Sequence, residues 1–270
     1  MRYLFIILSF LIVTAGFSQV TDSSFSLIKT YRGDIVSAAI DKLDNLYITS
    51  STGQVKKFGA KGDSIGVFNG VRAYGKLSAI DVSNPLKPLL FYKDFSNIVV
   101  LDRFLANRAS INLRQFNILQ PTAIGLSYDN NIWVFDQFDN KLKKIDESGN
   151  ILLQTDDFRT LFNQSFAPQK IMNDNGLVYL ADSAAGIFVF DNYGTYKRKI
   201  LLKNWNTVDV WNGMVVRLSK DAIIVYNPAS FTERSLRFPS AFTPYIHSFT
   251  TSNKLITFSP DSLRIYRVGY

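Results

Sequence analysis

The chain is built from short apolar runs separated by polar turns. One triplet recurs six times, as Leu46-Tyr47-Ile48, Leu89-Leu90-Phe91, Ile132-Trp133-Val134, Val178-Tyr179-Leu180, Met214-Val215-Val216 and Leu255-Ile256-Thr257, with first residues 43, 43, 46, 36 and 41 positions apart. A second apolar run follows each triplet, beginning at residues 55, 98, 142, 187, 223 and 263, which are 9, 9, 10, 9, 9 and 8 positions downstream. Turn formers such as Ser51-Thr52-Gly53, Asp94-Phe95-Ser96-Asn97, Phe138-Asp139-Asn140 and Ser183-Ala184-Ala185-Gly186 lie between them. Each pair therefore predicts a hairpin of strand, short turn and strand. A further short run precedes each triplet, at residues 36–40, 77–82, 122–126, 171–172, 208–210 and 245–249.

A helical period is nowhere sustained past the signal segment discussed below, so the pattern predicts an all-β protein. The triplets are near-continuously apolar, as expected for sheets covered on both faces rather than for an open sandwich with one wet face. A mean period of about 42 residues belongs to a four-stranded propeller blade. The expected fold is therefore a six-bladed β-propeller, with the runs before each triplet as innermost strands. Residues 25–31 precede the first innermost strand and are expected to pair outside residues 263–266, closing the ring with an N-terminal strand. The longest interblade stretch, residues 103–120, should contain the outer strand of blade two.

Leu46-Tyr47-Ile48-Thr49-Ser50 with Val55-Lys56-Lys57-Phe58, and Val178-Tyr179-Leu180-Ala181-Asp182-Ser183 with Ile187-Phe188-Val189-Phe190-Asp191, resemble the NHL-type six-bladed propeller repeat. The likeness is clearest around residues 46, 132 and 178; the other blades lack the Gly and Pro that introduce the inner strand in that repeat. A narrower likeness lies in Phe91-Tyr92-Lys93-Asp94-Phe95-Ser96-Asn97 through Val100-Leu101-Asp102-Arg103-Phe104, followed by Tyr128-Asp129-Asn130-Asn131-Ile132-Trp133. This texture is similar to small exported propellers of gliding diderm bacteria, some of which accompany type 9 secretion machinery at the outer membrane. Asp63-Ser64-Ile65, Asp182-Ser183-Ala184 and Asp261-Ser262-Leu263 are similar to the O-glycan acceptor pattern of such bacteria.

The N-terminus assigns an address. Arg2 precedes an apolar run over residues 3–13, and Gly16 and Ser18 supply small side chains before Gln19. That is the pattern of a secretory signal peptide over residues 1–18, cleaved between Ser18 and Gln19, with a core too short to anchor in a bilayer of about 30 Å. Residues 19–270 then form a single domain, with no integral membrane segment in the mature chain. The expected location is the periplasm, with full secretion as the alternative. The formal net charge of +8 falls by one when Arg2 is removed, leaving a surface suited to anionic partners. Nucleic acid is not an expected partner of an exported chain.

Composition removes most chemistries. There is no cysteine, which excludes thiolate nucleophiles, thiolate zinc sites and lipid attachment through an N-terminal Cys, so packing alone must hold an exported domain. Histidine occurs once, as His247 beside Ser248; adjacent strand residues point to opposite faces, and no Gly-x-Ser-x-Gly elbow is present. Propeller lyases with histidine-bound metal need several imidazoles. For calcium the candidates near innermost strands are Asp41, Asp81, Asn173, Asp174 and Asp209, whose spacing is irregular. Asn175-Gly176 reads as a hairpin turn instead. Asp136 and Asp182 fall at adjacent blade rims, where a glycosidase would need two opposed carboxylates.

Surfaces remain. Arg103, Phe104, Arg108, Arg114 and Phe116 in the long interblade stretch are candidate partner-binding residues. Lys56, Lys57, Lys143, Lys144, Lys197, Arg198 and Lys199 are candidates for a basic side, against the alternative that their stems merely cover sheet edges. The sequence thus reads as a non-catalytic exported propeller without cofactor or metal, a scaffold or accessory subunit that binds an envelope protein complex. The narrower resemblance implies an outer-membrane type 9 secretion channel as that complex. The competing expectation is a periplasmic glycan or small-ligand binding propeller, hydrolytic if carboxylates converge at the channel mouth.

Overall fold

In the computed structural model, the described residues are 24–164, 166–219, 221–239, 242 and 247–269. The proposed signal peptide, and the first residues of the sixth innermost run, lie outside them.

The chain enters through β1 (Phe25–Arg32) and then lays down strands four at a time. Blade 1 is β2 (Ser37–Ile40), β3 (Leu46–Thr49), β4 (Gln54–Phe58) and β5 (Ser64–Asn69). Blade 2 is β6 (Ala79–Asp81), β7 (Leu89–Tyr92), β8 (Asn97–Leu101) and β9 (Asn107–Asn112). Blade 3 is β10 (Pro121–Leu126), β11 (Ile132–Asp136), β12 (Lys141–Ile145) and β13 (Ile151–Gln154). Blade 4 is β14 (Lys170–Asp174), β15 (Leu177–Asp182), β16 (Gly186–Asp191) and β17 (Tyr196–Ile200). Blade 5 is β18 (Thr207–Trp211), β19 (Met214–Leu218), β20 (Ala222–Asn227) and β21 (Thr232–Arg237). Blade 6 is β22 (His247–Thr250), β23 (Lys254–Phe258) and β24 (Ser262–Val268), with β1 as its outer strand.

All six sheets are antiparallel in simple order, and β1 pairs β24 from Phe25 opposite Val268 to Arg32 opposite Ser262. One bulge interrupts that register between Leu27 and Lys29. The ring is thus closed as the sequence predicts, by joining the two ends of the chain in one sheet.

The continuous apolar triplets are explained by what each face meets. Leu89 and Phe91 of β7 pack toward blade 3, against Ile124, Ile132 and Val134. Leu90 and Tyr92, between them in sequence, pack toward blade 1, against Tyr47 and Val55. A strand covered on both sides has no polar face, hence no alternation. The same holds around the ring, with one buried cluster at each of the six blade junctions.

The junction of blades 3 and 4 shows how a connection is recruited. The chain leaving β13 forms α1 (Phe158–Phe162), capped by the Asp157 carboxylate accepting from the Arg159 amide. Its Phe158 is fully buried, stacked on Phe190 at 5.2 Å between ring centroids and set beside Phe135 and Phe166. Such aromatic pairs add about 0.5–1.5 kcal/mol each beyond area burial. Near the axis, space is short: a Cβ on Gly125 of β10 would stand 2.7 Å from the carbonyl oxygen of Ile171 on β14. Glycine lets the two inner strands approach.

Candidate functional site

Antiparallel order puts the turns after the first and third strands of every blade at one end of the ring, here the lower face, and the remaining connections at the upper face. At the upper mouth of the channel lies a cavity of about 220 Å³ bordered by blades 2, 3 and 4. Ser78, Phe91, Lys93, Thr122, Gln137 and Gln169 line it. The Ser78 hydroxyl oxygen accepts from the Lys93 amide at 3.1 Å, and Gln169 accepts from the Ser183 amide at 2.9 Å through Oε1 and donates to the Ala167 carbonyl through Nε2. The lining is thus amide, hydroxyl and apolar, with one ammonium and no carboxylate.

The carboxylates that the sequence offered as acids, bases or ligands serve the backbone instead. Asp136 is fully buried and accepts from the amides of Leu119 (3.2 Å), Gln120 (2.9 Å) and Phe138 (3.2 Å), and from Lys143 Nζ at 2.8 Å. Asp182, the equivalent residue one blade on, accepts from the amides of Ala167, Ala184 and Ala185. Each ties the incoming connection to its own hairpin. Asp81 and Asp174 reach across junctions, to the amides of Leu126 and Gly213, both at 2.7 Å. Asp209 pairs with Lys170 at 3.0 Å. Asp41 accepts from the amides of Leu43 and Asn45 and from the Tyr47 hydroxyl at 3.0 Å. Burial, with Asp41 adding to it, raises the Tyr47 pKa far above the phenol range. Asn173 donates to Asn192 Oδ1, and Asn175-Gly176 forms the predicted hairpin turn with φ of 47° and 76°. Among the described residues no group of three or more His, Asp or Glu side chains is placed to hold a metal. His247 is an exposed residue of β22 stacked on Phe258.

The basic-side expectation needs correction for three of its seven residues. Lys57, Lys143 and Lys144 are buried, at 2%, 2% and 6% exposure, so they contribute no basic surface. Lys57 on β4 lies over its cross-strand neighbour Tyr47 and donates to the Arg103 carbonyl of blade 2 at 2.9 Å. Lys144, at the same place on β12, lies over its neighbour Trp133 and donates to Asp129 and to the Asn192 carbonyl of blade 4. Lys143 sits between Asp136 and Asp139. Lys56, Lys197 and Arg198 are exposed, Lys197 paired with Asp191 at 2.9 Å, and Lys199 lies over the Phe188 ring.

The burial of these groups shows in their ionisation. Burial lowers the Lys57 pKa, only partly opposed by Asp41 and Asp102. Desolvation alone would raise Asp129, but hydrogen bonds from Ser127, Lys144 and Asn131 outweigh it and hold the carboxyl at about 2.

The five partner-binding candidates do not form one patch. Arg103 and Phe104 occupy a lower turn, with the guanidinium stacked over the ring and Phe104 55% exposed. Arg108 on β9 reaches Glu147 at 3.6 Å. Arg114 and Phe116 lie beyond the other end of β9, in a 3-10 turn over Leu113–Phe116, where Arg114 Nε donates to the Ser96 hydroxyl and Phe116 packs into the junction of blades 2 and 3. Exposed apolar turn residues that the sequence reading missed include Leu43, Leu86 and Tyr128 in the first lower turns of blades 1, 2 and 3. Tyr193 and Phe231, 76% and 80% exposed, occupy the outer lower turns of blades 4 and 5. Their signal was present in the chain, as large apolar residues inside predicted turns.

No family model matches the chain, and no curated protein matches it in sequence. Solved structures match its fold. The WD40 domain of Pan2 from Neurospora crassa superposes with a TM-score of 0.65 at 11% identity, covering 91% of this chain and 96% of that one. Virginiamycin B lyase from Staphylococcus aureus, in a catalytically inactive histidine-to-alanine variant with quinupristin, gives 0.62 at 11% identity over 91% and 100%. The propeller domain of Cps50 (Swd1) from Myceliophteria thermophila gives 0.61 at 11% identity over the same shares. The chain is a six-bladed β-propeller whose fold is similar to these proteins.

Proposed function

We propose that this propeller is a non-catalytic scaffold or accessory subunit that binds another protein, exported to the periplasm and seated in an envelope complex. The observation that carries the reading is the chemistry of the upper mouth: an amide, hydroxyl and apolar lining with the single ammonium of Lys93 and no carboxylate, the nearby rim carboxylates being engaged by backbone amides. A glycoside hydrolase of the usual kind would need two carboxylates free to act as acid and as base or nucleophile. The similar lyase is inactive when one histidine becomes alanine; here the single histidine stands exposed on an innermost strand and stacks on a phenylalanine. What the ring presents is a stiff body with two loop faces tipped by exposed apolar side chains, which suits protein recognition. Export rests on the pattern of residues 1–19, and among the described residues no helix is long and apolar enough to cross a membrane. The type 9 secretion translocon is the partner that the sequence resemblance nominates.

The test is affinity purification of a functional, chromosomally tagged copy from gently solubilised envelopes, with mass spectrometry of every stoichiometric partner and an untagged strain as control. One defined membrane complex supports the scaffold. Recovery of the propeller alone sinks it and leaves the ligand-binding reading, for which the 220 Å³ mouth is the seat.

A further inference from the structure

The outer strands of the six blades are not alike. Those of blades 1, 2 and 3 (β5, β9 and β13) carry between them one cation, Arg108, and no acid. Those of blades 4, 5 and 6 (β17, β21 and β1) carry Lys197, Arg198, Lys199, Arg234, Arg237, Lys29 and Arg32 against the single acid Glu233. The positive charge carried by the outer strands is therefore gathered on one arc of the rim, and β21 sits at its centre.

At the start of β21 stands Phe231, with φ of 58°. It is the left-handed residue of the outer lower turn of blade 5; in the shorter, bulged outer turns of blades 1, 3 and 4 the left-handed residue is Gly62, Gly149 and Gly194, at φ of 93°, 91° and 81°. A bulky side chain there is sterically unfavourable. Blade 2 also breaks the glycine pattern, with Leu105 at φ 66°, but Leu105 is 2% exposed in the core between blades 1 and 2, so burial offsets the strain. Phe231 is 80% exposed and makes no ring contact among the described residues. Among the described residues no buried packing compensates for it. On the strand that follows, Arg234 and Arg237 leave on opposite faces and are exposed, with no ion-pair partner among the described residues. The strand is the last of its sheet, so its outward backbone groups have no sheet partner.

We propose that the outer edge of blade 5 is the docking edge for an extended, acidic polypeptide segment of a partner protein. The segment adds as a fifth strand along β21, its carboxylates meet Arg234 and Arg237, and an apolar surface beside it covers Phe231. Charge selects this occupant: a second copy of the edge is repelled by like charge, and a flat anionic membrane touches only part of a convex rim that spreads its cations over three blades. The proposal rests on the protein-binding reading above and names the surface and the chemistry it recognises.

The probe is a fluorescein-labelled dodecapeptide of Glu, Val and Thr with acids on both faces of the strand it would form, set against its Lys-for-Glu counterpart and against phosphatidylglycerol vesicles. Expected are saturable binding of the acidic peptide that weakens with salt, at least tenfold loss in Arg234→Glu/Arg237→Glu and in Phe231→Gly, and slowed amide exchange over residues 232–237. Phe231→Gly should keep or raise the melting temperature, because glycine suits the turn, so its loss of binding is not unfolding. Equal binding by the charge-reversed variant, vesicle adsorption without peptide binding, or binding to neither overturns the proposal. Carrying the charge reversal into the tagged envelope purification separates the two claims. A partner retained at full stoichiometry leaves the scaffold standing and removes this edge from it.

Discussion

Replacing Asp136 by alanine asks whether the rim carboxylates are structural or functional. The side chain is fully buried and accepts four hydrogen bonds, from the amides of Leu119, Gln120 and Phe138 and from Lys143 Nζ. Removing one partner of a buried ion pair costs about 3–5 kcal/mol, and each buried amide left without an acceptor about 1–3. These contributions overlap, and Lys143 keeps Asp139 at 2.7 Å, so the expected loss is about 4 kcal/mol rather than the full total. At roughly 2–4 °C per kcal/mol for a domain of this size, the melting temperature should fall by about 8–16 °C. Calorimetry and urea titration of purified Asp136→Ala read this directly. Asp136→Asn, which keeps one acceptor in the same volume, should lose about half as much. Carboxylates held for catalysis or ligand binding usually behave the other way, their removal leaving stability unchanged or higher. A loss below about 1 kcal/mol, or a gain, would refute the structural assignment and reopen the hydrolytic reading.

Four further outcomes are expected. Phe158→Ala should cost about 3–5 kcal/mol in urea unfolding, because the ring is fully buried among Phe135, Phe166 and Phe190. Gly125→Ala should cost about 1–3 kcal/mol, since its Cβ would meet the Ile171 carbonyl oxygen at 2.7 Å, and an unchanged urea midpoint would contradict the close approach of the inner strands. The depressed Asp129 carboxyl contributes stability that is complete above the ordinary aspartate pKa of about 3.9 and is lost as pH falls through about 2. Acid titration of Asp129→Asn should lack that component between about pH 4 and 2. Finally, a panel of neutral sugars at millimolar concentration should leave the melting temperature unchanged, whereas a rise abolished by Gln137→Ala would place a ligand at the upper mouth.

The ring was legible because its signal repeats. Six triplets, each followed by a second run after 8 to 10 residues, survive any single ambiguous strand, and the pairing of residues 25–31 with 263–266 follows from counting strands. The candidate surfaces were less legible because exposure depends on the neighbouring blade. Phe116 and Phe104 are alike in sequence, yet one packs against a junction core and the other is exposed under the Arg103 guanidinium, and only the turn at each end of β9 decides which. Phe231 is visible in the chain as a large apolar residue in an outer turn, but its left-handed backbone is not, because that turn is one residue longer than those of blades 1, 3 and 4 and aligning their openings sets Ser230 opposite the glycines.

The lysine doublets show the same limit and imply a measurable consequence. Lys56-Lys57 and Lys143-Lys144 resemble wet edge residues, but the second member of each faces a covered side of its sheet, opposite Tyr47 in one blade and Trp133 in the other. The aromatic ring accommodates the aliphatic stem and the ammonium, and a carbonyl of the next blade receives the proton donors. Repetition of the arrangement two blades apart makes it a device for joining neighbours rather than an accident of one turn. For Lys57, burial lowers the pKa, so between that lowered value and the ordinary lysine value of about 10.4 the unfolded chain binds a proton that the fold does not. Stability should therefore gain from this residue as pH rises through that interval, the opposite of a lysine held by a surface ion pair. In Lys57→Met the gain should vanish while the urea m-value stays constant. An alkaline stability profile identical to that of the parent would mean that the ammonium is solvated and that the blades are joined there by packing alone.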